Sequence, residues 1–383
     1  MKFQSFLNVS NKDDIQADSG FVFQRLLAPE LIRRGHQFCL TGPVPLDIDG
    51  TSHEYCDLGS NKLEVRFKFD WDEVSKMIER QQPDVLWINQ PELAAGFRSI
   101  LCSLGSDAQL LTYIHYLPIQ QVAEGKVEVD PSLNNGQLGL PILLAVLGSL
   151  NVSDKVLVQS QFALQTLLQA LEAFRIPYDE KKLHLLPPPF DPFMMANGEN
   201  GKPPEKSILY NHRLYKHYGT EFFLEVIRMM EDRKDVRFMV ADLLASRNGS
   251  RKKLGQGYVE YYRSILSSSP NVSFANNKTR AEYKQAIDRC RIGLAAHRKM
   301  AVWSMSAVDC LGMGVPVIAP NFASYPEFVP ANLLYNSIDE FKEIANTLLE
   351  SDKSWTLASE DSKSKIRSLS PSSITERLLK VVE

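Results

Sequence analysis

Cysteine is scarce and scattered: the chain of 383 residues has five, Cys39, Cys56, Cys102, Cys290 and Cys310. An odd number with no close pair argues against a disulfide framework and against a zinc cluster, and suits a reducing, cytoplasmic compartment. Neither sign of charge is in excess. Lys and Arg number 43 against 46 Asp and Glu, a net charge of −3, so no bulk field draws the chain to nucleic acid or membrane. Long hydrophobic runs are missing too. The most apolar stretch, LGLPILLAVLGSL at 138–150, contains Pro141 and is too short to span a bilayer, so it is expected to be a buried helix and no membrane insertion is expected. The opening MKFQSFLNVSNKDD lacks a charged segment followed by a long apolar core, and no secretory signal is expected. Without one, the N-x-S/T sequons at Asn8, Asn151, Asn248, Asn271 and Asn277 carry no meaning. No fixed-period repeat and no low-complexity tract is visible.

What is present is ordinary globular material, 44% hydrophobic and 23% charged, in a chain long enough for two or three domains. Strand-like and helix-like patterns alternate. KFQSFLNV, HQFCLTGP, PDVLWINQ, LLTYIHYL, KVLVQS and KLHLLPPP read as strands, with helical patterns such as FVFQRLLAPELIRRG and WDEVSKMIERQQ between them. Short buried strands separated by helices predict an α/β fold of βαβ units with parallel sheets. PPPFDPF at 187–193 interrupts the alternation, since consecutive prolines continue neither a helix nor a central strand. The alternation then restarts at SILYNH. Two Rossmann-like domains are therefore expected, 1–190 and 191–365, with a closing helix in 366–383 that packs back on the first. Ligands of such sheets bind beyond the carboxyl ends of the strands, and two halves facing each other make the cleft between them the expected site.

Two segments of the second half carry the chemistry. In ILYNHRLYKHYGTEFF, an apolar run ends at Asn211 and is followed by His212, Arg213, Lys216 and His217 before a helix pattern. Cations are unfavourable at a helix start, which calls for an anion partner; Arg213 and Lys216 are the candidates, and the histidines read as structural or surface groups. In RIGLAAHRKMAVWSMSAVDCLGMGVPVIAPNFASYPEFV, 291–329, a strand ends near Ala296, a turn carries Arg298 and Lys299, and Trp303, Ser304, Met305 and Ser306 open a helix. Free amides of that first turn form an anion site, and Asp309 on the same helix can accept from sugar hydroxyls.

This second segment resembles the nucleotide-sugar motif of GT-B glycosyltransferases, especially the retaining family 4 type. Val302-Trp303-Ser304-Met305 stands where the family has G-F-G-L, Asp309 where it has the glutamate that holds the ribose, and Glu327 in YPEF where it has its last glutamate. Ala301 stands where the family has a glutamate that supports the donor sugar. LLAPELIRRGHQFCLTGP, VSDKVLVQSQFALQTL, LHLLPPPFD and NHRLYKHYGTEFFLEVI resemble further family segments in the expected order, and Gly20 matches the glycine of the acceptor-side loop, beside Ser19. NHRL with its short Lys/Tyr loop and WSMSAVDCLGMGVPVIAP are similar to glycosyltransferases that bacteriophages use on modified DNA bases, which would place the chain in a host cytoplasm.

The resemblance implies a UDP-sugar donor bound by the second half and a hydroxyl acceptor bound by the first, with double-stranded DNA carrying a hydroxymethylated pyrimidine as the implied partner. No cofactor beyond the nucleotide sugar and no metal are expected, because fixed cations and a helix end can stabilise a departing diphosphate. An inverting reaction needs a base, for which Asp18 and then His115 are the candidates; a retaining reaction does not, and both outcomes stay open. Rival readings are transfer to a lipid-linked or surface glycan and, given Ala301, an inactive sugar-nucleotide-binding protein. The basic run RNGSRKKLG, 247–255, is expected to be a surface loop that would track phosphates if the acceptor is DNA.

Overall fold

A computed structural model describes the chain except residues 8, 10–14, 16–17, 58–63, 68, 124, 134, 197–203, 242–249 and 276–278, and except the side chains of 64–65, 132, 135 and 250–256. The first three residues of the basic run at 247–255 thus lie outside the described residues. The remaining six are not the expected loop, because a helix runs from Ser250 to Ser267.

Two compact units share the chain: Met1–Pro189 with Pro371–Glu383, and Phe190–Ser370. In the first, the strands are β1 (Lys2–Phe6), β2 (Gln37–Gly42), β3 (Thr51–Tyr55), β4 (Val85–Ile88), β5 (Gln109–Ile114), β6 (Ile119–Ala123), β7 (Lys126–Val129), β8 (Lys155–Val158) and β9 (Leu183–Leu185). Seven of them form a parallel sheet in the order β3-β2-β1-β4-β5-β8-β9, and β6 and β7 form a separate antiparallel pair. The interior strands are near-continuous apolar runs because helices cover both faces of a parallel sheet. All four residues of β4, VLWI, are buried. The edge strand β3, TSHEY, is only partly covered and is polar, which blunts an edge that would otherwise pair with another chain.

The second unit holds β10 (Ser207–Tyr210), β11 (Arg237–Val240), β12 (Val272–Phe274), β13 (Ile292–Leu294), β14 (Val317–Pro320) and β15 (Leu334–Tyr335). Their order is β12-β11-β10-β13-β14-β15, and the paired strands run parallel. In both units the strand order reverses once, between β1 and β4 and between β10 and β13. Loops leaving the carboxyl ends of neighbouring strands diverge at such a switch point and leave room for a ligand.

LGLPILLAVLGSL is the helix Gly139–Val152; its inner face is buried, while Leu140 and Leu144 are exposed. Among the described residues no helix is long and apolar enough to cross a membrane. The last helix starts at Pro371, later than the expected 366, because the helix Asp352–Arg367 ends first and Pro371 suits a first helical turn. Ile374, Leu378, Leu379 and Val382 bury its inner face in the first unit. Arg34 Nη2 donates to the Ser372 carbonyl at 3.1 Å and Gln109 Nε2 to the Val382 carbonyl at 3.1 Å.

Leu378 is fully buried. Leu378→Ala is therefore expected to destabilise the first unit by about 2–5 kcal/mol in denaturant unfolding, and a loss below about 0.5 kcal/mol would contradict this packing.

Candidate functional site

At the switch point of the second unit the chain leaves β10 at Asn211, passes a short turn of 3-10 helix, Lys216–Tyr218, and enters the helix Thr220–Met229 through Gly219. Gly219 has φ +73°, a conformation that L side chains rarely adopt, and a Cβ there would lie 2.7 Å from His297 Cβ, 2.8 Å from the His297 oxygen and 2.9 Å from its nitrogen. Two of these three atoms are backbone and cannot swing aside. Glycine is thus needed for both conformation and space, and it presses the loop after β10 against the loop after β13.

That contact concentrates positive charge. Arg213 is half-buried, Lys216 exposed and Arg298 partly exposed. The Arg298 guanidinium lies over the Tyr218 ring, 5.2 Å from its centroid. Among the described residues none of these three cations has a carboxylate partner. Elsewhere in the unit Arg233, Arg291 and Lys206 are all paired with carboxylates.

His212 does not add to this charge. It is buried, its Nδ1 accepts from Ser306 Oγ at 3.0 Å, and burial pushes its pKa down to about 4, with the Leu294 carbonyl opposing and Arg298 adding to the effect. A neutral ring therefore ties the loop after β10 to the helix Met305–Gly312. Asn211 adds a second tie, donating to the Ser306 carbonyl at 3.0 Å. Ser304 caps the same helix, accepting from the Ala307 amide at 3.4 Å and leaving the Met305 and Ser306 amides at its open end. Trp303 packs on Phe328 with ring centroids 4.7 Å apart. Ala301 is buried and its carbonyl receives the Ser324 amide at 3.2 Å, which holds the turn carrying the exposed Glu327 beside this loop.

Asp309 has a partner that the sequence pattern does not show. It is only 4% exposed, and both its oxygens are held by Arg280 at 3.0 Å. Burial raises its pKa to about 6 despite Arg280, and Tyr283 also hydrogen-bonds to it. In this state both carboxylate oxygens anchor an arginine. Arg280 Nη2 also approaches Asp191 Oδ2 at 3.4 Å, and Tyr283 OH receives Asn211 Nδ2 at 2.8 Å.

At the switch point of the first unit, Asp18 caps the helix Ser19–Arg33, its Oδ1 accepting from the Gly20 amide at 2.9 Å and the Phe21 amide at 3.2 Å. A Cβ on Gly20 would lie 2.8 Å from Leu7 Cδ1, 3.2 Å from Asp18 Oδ1 and 4.0 Å from His115 Nε2, so the helix start, Asp18 and His115 converge. His115 follows β5, and its Nε2 is 2.7 Å from Asn89 Oδ1, so Nε2 carries the proton and donates. Loss of hydration pushes the pKa of this ring down to about 3. In this state Asp18 Oδ1 serves as a helix cap and the His115 ring is held neutral with its Nε2 hydrogen donated to Asn89.

Arg280, Asp191, Tyr283 and Asn89 are absent from the residues predicted by motif. One signal was legible: T-R-A-E is a capping box, with Thr279 and Glu282 bonding reciprocally, and it places Arg280 in a first helical turn where a cation needs a partner.

No protein-family model and no curated protein matches the chain. Solved structures do. Anabaena HepE in complex with UDP-glucose superposes with a TM-score of 0.68 at 13% identity over 99% of this chain and 98% of that one. Sucrose-phosphate synthase from Thermosynechococcus elongatus gives 0.70 at 15% identity over 99% and 98%. A UDP-forming α,α-trehalose-phosphate synthase from Burkholderia vietnamiensis gives 0.68 at 14% identity over 100% and 96%. The chain therefore has the two-unit α/β fold of GT-B glycosyltransferases.

Neutral burial of His212 has a pH signature. Its folded pKa, about 4, lies below the ordinary 6.5, so the folded state binds fewer protons; this contribution is complete above pH 6.5 and is lost as pH falls toward 4. By linkage the loss between neutral pH and pH 5 amounts to about 2 kcal/mol. Unfolding free energies of the parent and His212→Gln, measured at neutral pH and at pH 5, are expected to differ in slope by about that amount, and equal slopes would contradict a neutral buried ring.

Proposed function

We propose that the protein is a glycosyltransferase that moves a sugar from a UDP-sugar to a hydroxyl acceptor. The observation that carries this reading is the set of three cations without carboxylate partners among the described residues, Arg213, Lys216 and Arg298, gathered beside the open end of the helix Met305–Gly312. A nucleoside diphosphate supplies the counter-charge. Its negative charge grows as the bond to the sugar breaks, and fixed donors aimed at that charge lower the barrier. Arg213 forks onto phosphate oxygens, Lys216 and Arg298 add positive charge, and the Met305 and Ser306 amides add neutral donors. With this set the reaction needs no metal. That solved structures of the same fold hold UDP or UDP-glucose supports UDP as the nucleotide.

In the first unit, His115, Asn89 and the Gly20 turn position a hydroxyl-bearing group without drawing off its proton. Catalysis then rests on leaving-group stabilisation, which favours a retaining course. For the acceptor we propose a hydroxymethylated pyrimidine in DNA, on the similarity of the NHRL and WSMSAVDCLGMGVPVIAP segments to phage enzymes of that kind. The base is flipped out of the duplex to expose its hydroxyl.

Arg213→Ala is expected to weaken UDP binding about tenfold to a hundredfold in titration calorimetry, the range of a charged hydrogen bond, and unchanged affinity would overturn the donor site. Incubation with mixed nucleotide sugars and hydroxymethylated DNA is expected to add a hexose or pentose mass to the base, and chelation is expected to leave that rate unchanged. No mass shift with any donor would exclude the DNA acceptor while leaving the donor site intact.

A further inference from the structure

Resting on that donor site, we infer that Arg280, clamped by Asp309 and Asp191, holds the ribose of the nucleotide. Asp309 lies three residues after Ser306 on the helix whose open end carries the anion site, so the two share a face one turn apart, about 5 Å along the axis. The ribose is the next unit of a nucleoside diphosphate beyond its phosphates. Arg280, bound to Asp309, presents its guanidinium beside that turn of the helix. Its side chain is 39% exposed, whereas Asp309 and Asp191 are 4% and 5% exposed, so buried carboxylates grip one side of the guanidinium and leave the rest in solvent.

Hydrogen-bond bookkeeping points the same way. A guanidinium has five N–H donors. Nη1 donates to Asp309 Oδ2, and Nη2 donates to Asp309 Oδ1 and to Asp191 Oδ2. The Nε hydrogen and one Nη1 hydrogen remain for acceptors such as ribose oxygens. Tyr283 fixes the plane from below: the Arg280 carbon lies 5.4 Å from its ring centroid, and its hydroxyl joins Asn211 to Asp309. Asn211 in turn holds Ser306, so one network positions both the anion site and Arg280. Asp309 is thus a positioning residue, and Arg280 is the group that touches the nucleotide.

The test compares UDP, 2′-deoxy-UDP and inorganic pyrophosphate by titration calorimetry. Arg280→Ala is expected to weaken UDP about tenfold or more while leaving pyrophosphate within about twofold of the parent. Arg280→Lys does not restore UDP, because a point charge cannot bridge two carboxylates and still present directed donors. Asp309→Asn shifts the UDP-to-pyrophosphate ratio the same way. Where Arg280→Ala fails to fold, the double variant Arg280→Gln with Asp309→Asn, which leaves no unpaired carboxylate at 309, carries the same comparison. In the parent, weaker binding of 2′-deoxy-UDP than of UDP supports the ribose contact. Equal loss of UDP and pyrophosphate in the Arg280 variants overturns the assignment and leaves the donor site standing. Failure of the parent to bind any of the three overturns both.

Discussion

The second unit depends on one close approach, Gly219 against the backbone of His297. The two loops leave neighbouring strands at the place where the sheet reverses its order, and strand geometry alone would let them diverge. A left-handed glycine with no side chain lets one backbone lie on the other. Without that contact Arg213 and Lys216 belong to one loop and Arg298 to another. With it, their charges reinforce each other, and the repulsion among them is a cost that an anion relieves. The neutral state of His212 follows first from its burial and then from nearby Arg298, because a fourth charge beneath these loops would be cut off from water.

Around this contact, polar residues serve mainly to hold one another. Asn211 and His212 reach across to Ser306, Ser304 caps the helix that carries Ser306, and Tyr283 and Arg280 fasten its next turn through Asp309. Such an arrangement keeps donors fixed before a ligand arrives, so little reorganisation is needed when charge develops. The groups not engaged in this holding are Arg213, Lys216, Arg298 and the outer hydrogens of Arg280.

Much of this was legible in the chain. Apolar runs such as VLWI and SILY announce buried parallel strands, the prolines at 187–189 mark the break between units, and the cations at 213, 216 and 298 stand out because they fall at helix starts. Other features were hidden for physical reasons. The hairpin of β6 and β7 is short and half-exposed, so it has no strong alternation to read. The pairing of Asp309 with Arg280 was hidden because the two are 29 residues apart and meet only when β12 and β13 take their places on either side of β11 and β10. For Asp18 and His115, which lone pair or hydrogen is already engaged depends on the Gly20 amide and on Asn89, and no spacing in the sequence records that.

The central claim is that two loops converge on one anion, and a double-mutant cycle tests it most directly. UDP affinity is measured for the parent, Arg213→Ala, Arg298→Ala and the double variant. Groups acting on one shared diphosphate are expected to show a coupling energy above about 0.5 kcal/mol, whereas losses that add to within about 0.3 kcal/mol would mean that Arg213 and Arg298 serve separate sites and would contradict the account.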